Sequence, residues 1–182
     1  MSEVLAWFER KFTFEFPVEL YANLRTRLRG TTARLDELLR GLSRDALTRQ
    51  VEGKWSIQEN TGHLLDTEEL WHRRVEEYLA GATELSPADL TNRKTHQAQH
   101  NRRATTEILQ EFRVARLRLV ARLENLPRDA FARVALHPRL RMPMRLVDHM
   151  YFIAEHDDHH LARIWELRRA SLGGSTVTIE LR

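Results

Sequence analysis

The chain has 182 residues, of which 42% are hydrophobic, which is enough for one domain with its own core. It contains no cysteine, which excludes disulfide bonds, thiolate metal ligands and a cysteine nucleophile, so any metal must bind to nitrogen or oxygen. The net charge of +3 comes from basic and acidic residues that are interleaved along the sequence, unlike the segregated basic surface of most nucleic-acid-binding proteins.

No apolar run approaches the roughly 18 residues of a membrane-spanning helix, and the N-terminus lacks the sections of a signal peptide. We therefore expect a cytoplasmic protein without a membrane partner. Four arginines between positions 113 and 122 point in several helical directions and have acids nearby, which is typical of a solvated helix surface. We therefore expect no nucleic-acid partner.

Residues 1–16 are predicted to form a short N-terminal extension that is rich in aromatic side chains. Pro17 then begins the first helix, because proline suits a first turn in which amide protons have no partner. Leucines at spacings of three and four extend this helix to about Gly41. The extension, with Trp7, could cover a partner subunit or cap its own bundle, so the sequence leaves a homodimer open.

The second helix is predicted to begin at Ser56 and to run to about Ala80. Ser56 and Glu59 have the spacing of a capping box, in which each side chain accepts a hydrogen bond from the other residue's backbone amide. Gly81 follows and favours a helix end.

Two more helices complete the predicted fold. The third carries apolar residues from Ile108 to Leu123, and the fourth begins near Pro143 and continues to about Leu172. The chain is therefore predicted to be all-α, a single antiparallel four-helix bundle over residues 17–172. The C-terminal tail, residues 173–182, contains an alternating segment at 176–181 for which no partner strand is evident.

Three histidines share the apolar face of the fourth predicted helix, namely His149, His156 and His160. Burying an imidazole without partners costs about 1–3 kcal/mol, so three on one face call for an explanation. His156 and His160 are one helical turn apart, which allows both rings to bind one ion at about 2.0–2.1 Å. The alternative is an accidental pair in a sequence with nine histidines.

A third ligand can come from the second helix, where His63 flanks the apolar stripe and can reach across to the fourth. By itself, His63 could equally be a partly buried packing residue. His149 lies about 10.5 Å before His156 along the helix axis, which is too far for both to bind one ion. We therefore expect His149 to pack in the core or to contact a metal ligand without binding the metal. The remaining histidines are expected on the surface: His72, His96, His100, His137 and His159.

Two segments, Lys54–Leu64 and Glu155–Ala162, resemble the DinB/YfiT-like family of four-helix metalloproteins. The resemblance spans nearly the whole chain, from Trp7 to the end of the fourth helix. It implies that one histidine of the second helix and a pair in the fourth bind a divalent metal, and these positions are His63, His156 and His160 here.

The resemblance implies a small-molecule substrate, because some relatives are metal-dependent S-transferases or isomerases that use low-molecular-weight thiols, and others are hydrolases. Three imidazoles leave an open coordination position, which is the pattern of a catalytic zinc site. The alternative is a metal that staples two helices without chemistry. All-nitrogen ligation suits zinc or nickel, with iron and manganese as further candidates.

Three acids lie near the predicted ligands and are the candidates for general acid or base work: Asp66, Asp157 and Asp158. Asp66 and Asp157 lie about one turn from His63 and His160, respectively, so either could hold the second ring nitrogen of a ligand. We expect Asp66 and Asp157 to be ordinary solvated carboxylates, and the spacing of the three acids does not distinguish a catalyst from a salt-bridge partner.

Overall fold

A computed structural model of the chain describes residues 4–173, so the predicted alternating segment at 176–181 lies outside the described residues. Six α-helices and one hairpin make up the described part of the chain. In order they are α1 (Tyr21–Leu39), α2 (Arg44–Thr48), α3 (Ile57–Leu79), α4 (Arg93–Gln97), α5 (Thr105–Glu124), β1 (Val134–His137), β2 (Met142–Arg145) and α6 (Leu146–Ser171). The long helices α1, α3, α5 and α6 are the four that the sequence predicts.

The four long helices form a bundle in which α1 and α3 each pack against both α5 and α6. The interior is filled by buried side chains from all four helices, such as Leu28, Leu64, Leu119 and Ile153. The predicted capping box is confirmed, since Ser56 and Glu59 each accept a hydrogen bond from the other's backbone amide. Within the described residues, no helix has the length and apolar character needed to cross a membrane.

The structure differs from the all-α prediction at residues 134–145, which form a two-stranded antiparallel sheet. Pro143 does not begin the last helix, because it lies in β2 opposite Leu136. The helix starts after Arg145, where the Asp148 carboxylate accepts a hydrogen bond from the Arg145 backbone amide. The prediction mistook a proline in a short strand for a helix start, since proline is tolerated in both places.

The N-terminal extension packs along α6 of its own chain. The Trp7 ring lies 5.1 Å from that of Phe152, and Phe12 lies 5.2 Å from the same ring. Arg145 donates hydrogen bonds to the backbone carbonyls of Phe14 and Phe16, which fastens the end of the extension to the start of α6. The homodimer that these aromatic residues left open stays a prediction.

Candidate metal centre

Three histidine side chains meet between α3 and α6. Their ligand atoms all lie within 4.8 Å of one another, and this is the only such group of three potential metal ligands within residues 4–173. The Nε2 atoms of His63 and His156 are 3.3 Å apart, and the ring centres of His156 and His160 are 4.7 Å apart. The structure thus brings together the three residues that the sequence predicts as metal ligands.

Asn60 determines which nitrogen of His160 faces the other two rings. The Asn60 amide group donates to the backbone carbonyls of Ser56 and Trp55, which leaves its Oδ1 atom as an acceptor. That oxygen lies 2.9 Å from His160 Nδ1, so the ring proton is on Nδ1. The Nε2 lone pair of His160 therefore remains available to a metal.

A second chain of hydrogen bonds orients His63. Its Nδ1 atom lies 3.0 Å from the Thr95 hydroxyl, and Thr95 in turn helps to lower the pKa of the Asp66 carboxylate. Asp66 also accepts a hydrogen bond of 2.8 Å from His100 Nε2. With the Thr95 hydroxyl as acceptor from His63 Nδ1, the His63 Nε2 lone pair points to the centre.

His100 is buried, contrary to the predicted surface position, whereas His96 is exposed as predicted. The His100 ring packs directly against the backbone of α3 at Gly62. Only glycine allows this contact, because a Cβ atom at that position would lie 2.2 Å from the ring. Sequence reasoning missed this contact, and the signal was a glycine inside a helix immediately before His63. Gly62 and His100 together place Asp66 beside Thr95.

All three histidines of the cluster favour the neutral form. Burial lowers the pKa of His63 to about 4, and it lowers the pKa values of His156 and His160 well below the usual value for histidine. For His156 and His160 the neighbouring histidines add to the effect, since a charge on one ring disfavours a charge on the next. Neutral imidazole is the form that binds metals.

The cluster lies at the wall of a cleft of about 1070 Å³, which we call the histidine cleft. Aromatic and aliphatic side chains supply much of its lining, including Trp7, Phe8, Trp55, Leu70, Trp71 and Phe152. Asp66 and His159 also line it. An open, largely apolar cleft beside convergent polar groups is the usual form of a small-molecule binding site.

The other two predicted acids do not line the cleft. Asp157 is fully buried between α6, α5 and α1, where it forms an ion pair with Arg116 and accepts a hydrogen bond of 2.7 Å from the Thr31 hydroxyl. Asp158 pairs with Arg27 and Arg34 of α1. The expectation of a solvated Asp157 is therefore wrong, because the sequence does not reveal which α5 arginine points into the core.

The remaining histidines lie in three kinds of environment. His149 is buried in the core as expected, against the Trp71 and Tyr78 rings. His137 is 2% exposed, so its predicted surface position is wrong, because the unpredicted hairpin turns it inward. His159 and His72 are half-buried; His159 contacts Trp7, and His72 Nε2 lies 3.1 Å from the Ala115 carbonyl oxygen.

The sequence matches the DinB superfamily over residues 27–164, which includes all three clustered histidines. Because this match covers more than half of the chain, the protein belongs to the DinB superfamily. No protein in the curated collection of sequences matches it.

Two solved structures share the fold. YfiT from Bacillus subtilis, described as a probable metal-dependent hydrolase with an unusual four-helix bundle topology, superimposes with a TM-score of 0.76. The alignment has 22% sequence identity and covers 90% of this chain and 94% of YfiT. A mycothiol-dependent maleylpyruvate isomerase gives a TM-score of 0.64 at 12% identity, covering 82% of this chain and 61% of the isomerase. At these identities the likeness extends to the fold alone.

Proposed function

We propose that the protein is a metal-dependent enzyme that acts on a small molecule, with one divalent transition-metal ion held by His63, His156 and His160. The convergence of three neutral imidazoles at the wall of an open cleft carries this proposal. Three protein ligands leave one tetrahedral position for a substrate or water, as in catalytic zinc sites, whereas structural sites have four.

The geometry and chemistry of the cluster fit such an ion. Two nitrogen ligands around a tetrahedral zinc ion lie about 3.3–3.4 Å apart, since each bond is about 2.0–2.1 Å long, and the Nε2 atoms of His63 and His156 are 3.3 Å apart. Asn60 and Thr95 hold the outer nitrogens of two rings, which fixes the orientation of their lone pairs. Neutral nitrogen ligands favour zinc or nickel, and they also accept iron and manganese.

For the reaction, we propose transfer of a low-molecular-weight thiol to a second small molecule. A bound divalent metal lowers the pKa of a thiol or of water, which makes a nucleophile available at neutral pH. The cleft volume of about 1070 Å³ lies at the upper end of the range usual for small-ligand sites, about 300–1,000 Å³, which leaves room for a thiol beside its acceptor.

Hydrolysis is the second candidate, supported by the description of YfiT as a probable metal-dependent hydrolase. Of the three acids near the ligands, we propose Asp66 as the candidate for general acid or base work. It lines the cleft, whereas Asp157 and Asp158 are held in ion pairs elsewhere. Burial raises the pKa of Asp66, but hydrogen bonds from His100 and Thr95 outweigh that effect and lower it, so the carboxylate is charged and positions Thr95.

The proposed metal site is tested by elemental analysis of protein purified without an affinity tag. The wild type should contain about one equivalent of a transition metal, and the His156→Ala, His160→Ala double variant should contain none. His96→Ala is the matched control, because His96 is exposed and lies outside the cluster. If the wild type takes up no metal even after reconstitution, the histidines are packing residues and the proposal fails.

The reaction is tested with the metal-loaded protein. Consumption of a thiol together with an electrophilic acceptor supports the transferase, whereas cleavage of an ester or amide without thiol supports the hydrolase. A protein that binds metal, turns over neither class of substrate and loses much of its stability on chelation would instead have a metal that staples α3 to α6.

A further inference from the structure

A second polar group of residues lies in the histidine cleft, beside the β1–β2 hairpin. We call it the basic corner, and it consists of Arg74, His137 and Arg139, all of which line the cleft. Arg139 lies in the hairpin turn, with its guanidinium 5.3 to 5.6 Å from the ring centres of Phe8, Trp7 and Phe152. The basic corner therefore places positive charge against aromatic side chains.

Arg139 has no acidic partner among residues 4–173, and its Nη2 atom is buried without a hydrogen-bond acceptor. Two other basic side chains that line the cleft, Arg73 and Lys94, do have an acidic partner, since both pair with Glu69. Arg139 is half-buried, and its buried Nη2 atom is costly because that N–H group has lost hydration and gained no hydrogen bond in return. Arg139 is therefore a cationic side chain of the cleft that an external anion would satisfy.

The rest of the basic corner also has more donors than acceptors. Arg74 donates twice to the Ser86 carbonyl oxygen and directs a third N–H toward His137 Nε2, 3.3 Å away. His137 Nδ1 already accepts from the Leu140 backbone amide. Neutral imidazole carries one ring proton, so His137 cannot accept on both nitrogens, and the corner lacks at least one acceptor.

The charges in the corner oppose one another. Burial lowers the pKa of Arg139, and burial lowers that of Arg74 to about 10, with Arg139 adding to the second effect. Burial and the two arginines lower the pKa of His137 to about 3. Glu77 is the acid that raises the pKa of Arg74 most, but its carboxylate accepts a hydrogen bond from the Ser86 backbone amide. An anion in the corner would supply both the missing acceptor and the missing charge.

We propose that Arg139 binds the carboxylate of a small organic-acid ligand, with Arg74 providing a second positive charge. The planar guanidinium presents paired N–H groups that match the two oxygens of a carboxylate. Arg139, with no acidic partner and with aromatic rings around it, suits a ligand that has one singly charged group and an otherwise apolar structure. A phosphate dianion would need more hydrogen-bond donors than the basic corner offers. The proposal names a substrate class for the function proposed above and rests on it for the chemistry.

The position of Arg139 relates this carboxylate to the clustered histidines. The Trp7 ring contacts both the Arg139 guanidinium, at 5.6 Å, and the His156 ring, at 5.1 Å. Phe152 lies one turn before His156 on α6 and contacts Arg139 as well. A molecule held by its carboxylate at Arg139 would therefore lie along these rings and extend toward the histidines.

The test is calorimetric titration of three carboxylates, benzoate, phenylacetate and succinate, into the full chain, each compared with its neutral amide. The wild type should bind at least one carboxylate tightly enough to measure and the matching amide at least about tenfold more weakly, since a charge-assisted hydrogen bond is lost. Arg139→Gln should remove this preference, and Arg139→Lys, which keeps the charge but not the paired donors, should weaken it in part. Arg73→Gln is the matched control, because Arg73 lines the cleft but is paired with Glu69.

The titration is repeated on the His156→Ala, His160→Ala double variant, which separates the two proposals. Carboxylate binding that depends on Arg139 in this variant supports the basic corner, even if the wild type proves to bind no metal. Binding that is lost with the histidines but kept in Arg139→Gln places the carboxylate on the metal and overturns the inference. Failure of the wild type to bind any of the three acids also overturns it, and circular dichroism with urea unfolding excludes misfolding of Arg139→Gln as the cause of lost binding.

Discussion

The Nε2 atoms of His63 and His156 lie 3.3 Å apart, although the two residues are separated by 93 positions in the sequence. Two lone pairs directed into one small space repel each other unless a proton or a metal ion lies between them. Burial lowers the pKa values of both histidines, so each ring carries a single proton, and no partner among the described residues holds that of His156 on Nδ1. The packing of α3 against α6 therefore brings two ring nitrogens to the separation of neighbouring ligands on one metal ion, and a metal there would replace an Nε2–H···Nε2 hydrogen bond.

The first prediction concerns the residue that orients His160. Asn60→Leu should lower zinc affinity about 10- to 100-fold, because loss of an outer hydrogen bond lets the ring rotate and shift its proton. The measurement is competition with a chelator of known affinity. Asn125→Ala is the control, since Asn125 is exposed and bonds only to the Ala121 carbonyl among the described residues. Equal zinc affinity in Asn60→Leu and wild type would show that packing alone orients His160.

The second prediction uses two glycines in helices. Gly62→Ala should destabilise the protein and weaken zinc binding, because the new Cβ would lie 2.2 Å from the His100 ring and displace it from Asp66. Gly30→Ala should instead stabilise the protein by about 0.5–1 kcal/mol, because a Cβ there meets no atom within 4 Å and alanine favours the helix.

Urea unfolding and zinc titration of both variants provide the measurement. If Gly62→Ala is stabilised as much as Gly30→Ala, the loop that carries His100 adjusts freely. The chain of contacts from His100 through Asp66 and Thr95 to His63 would then have no role in orienting the ligand.

The third prediction concerns acid stability of the metal-free protein. The pKa of His137 in the folded state is about 3, below its value in the unfolded chain. The unfolded state therefore binds more protons, so the stability that neutral His137 contributes is fully present above about pH 6.5 and is lost as the pH falls toward the folded value. Each such histidine reduces the unfolding free energy by up to about 1.4 kcal/mol per pH unit.

The measurement is urea unfolding between pH 7 and 5 in the presence of a chelator. His137→Gln should flatten the dependence on pH, because the variant cannot gain a proton on unfolding. An unchanged slope would mean that His137 is protonated or solvated in the folded protein. His63 and the other clustered histidines add to the wild-type slope in the same direction.

Local signals made much of the fold predictable. The start of α3 could be predicted from the capping box of Ser56 and Glu59, because that motif involves only residues close together in the sequence. The spacing of His156 and His160 likewise follows from one helix. The burial of His100 and the inward direction of Arg116 could not be predicted, because each depends on a partner far along the chain. The β1–β2 hairpin is local, but its turn, residues 138–141, contains no glycine, asparagine or aspartate to signal it.

The fourth prediction concerns the buried ion pairs behind the candidate metal site. Arg116 of α5 is fully buried and pairs with Glu68 of α3 and with Asp157 of α6, next to His156. Burial lowers the pKa of Arg116, but the two carboxylates outweigh that effect and raise it, whereas burial raises the pKa of Glu68. The guanidinium is therefore what allows two acids to occupy the core.

Arg116→Met should cost about 3–5 kcal/mol of unfolding free energy, because it leaves buried carboxylates without a cation. Arg122→Met is the matched control, since Arg122 also lies on α5 and pairs with an α3 glutamate, Glu76, but is exposed to solvent. An exposed pair is worth at most about 1 kcal/mol, so the control should change little. Urea unfolding at pH 7 compares them, and similar losses in the two variants would mean that water or a proton reaches Glu68 and Asp157 when Arg116 is absent.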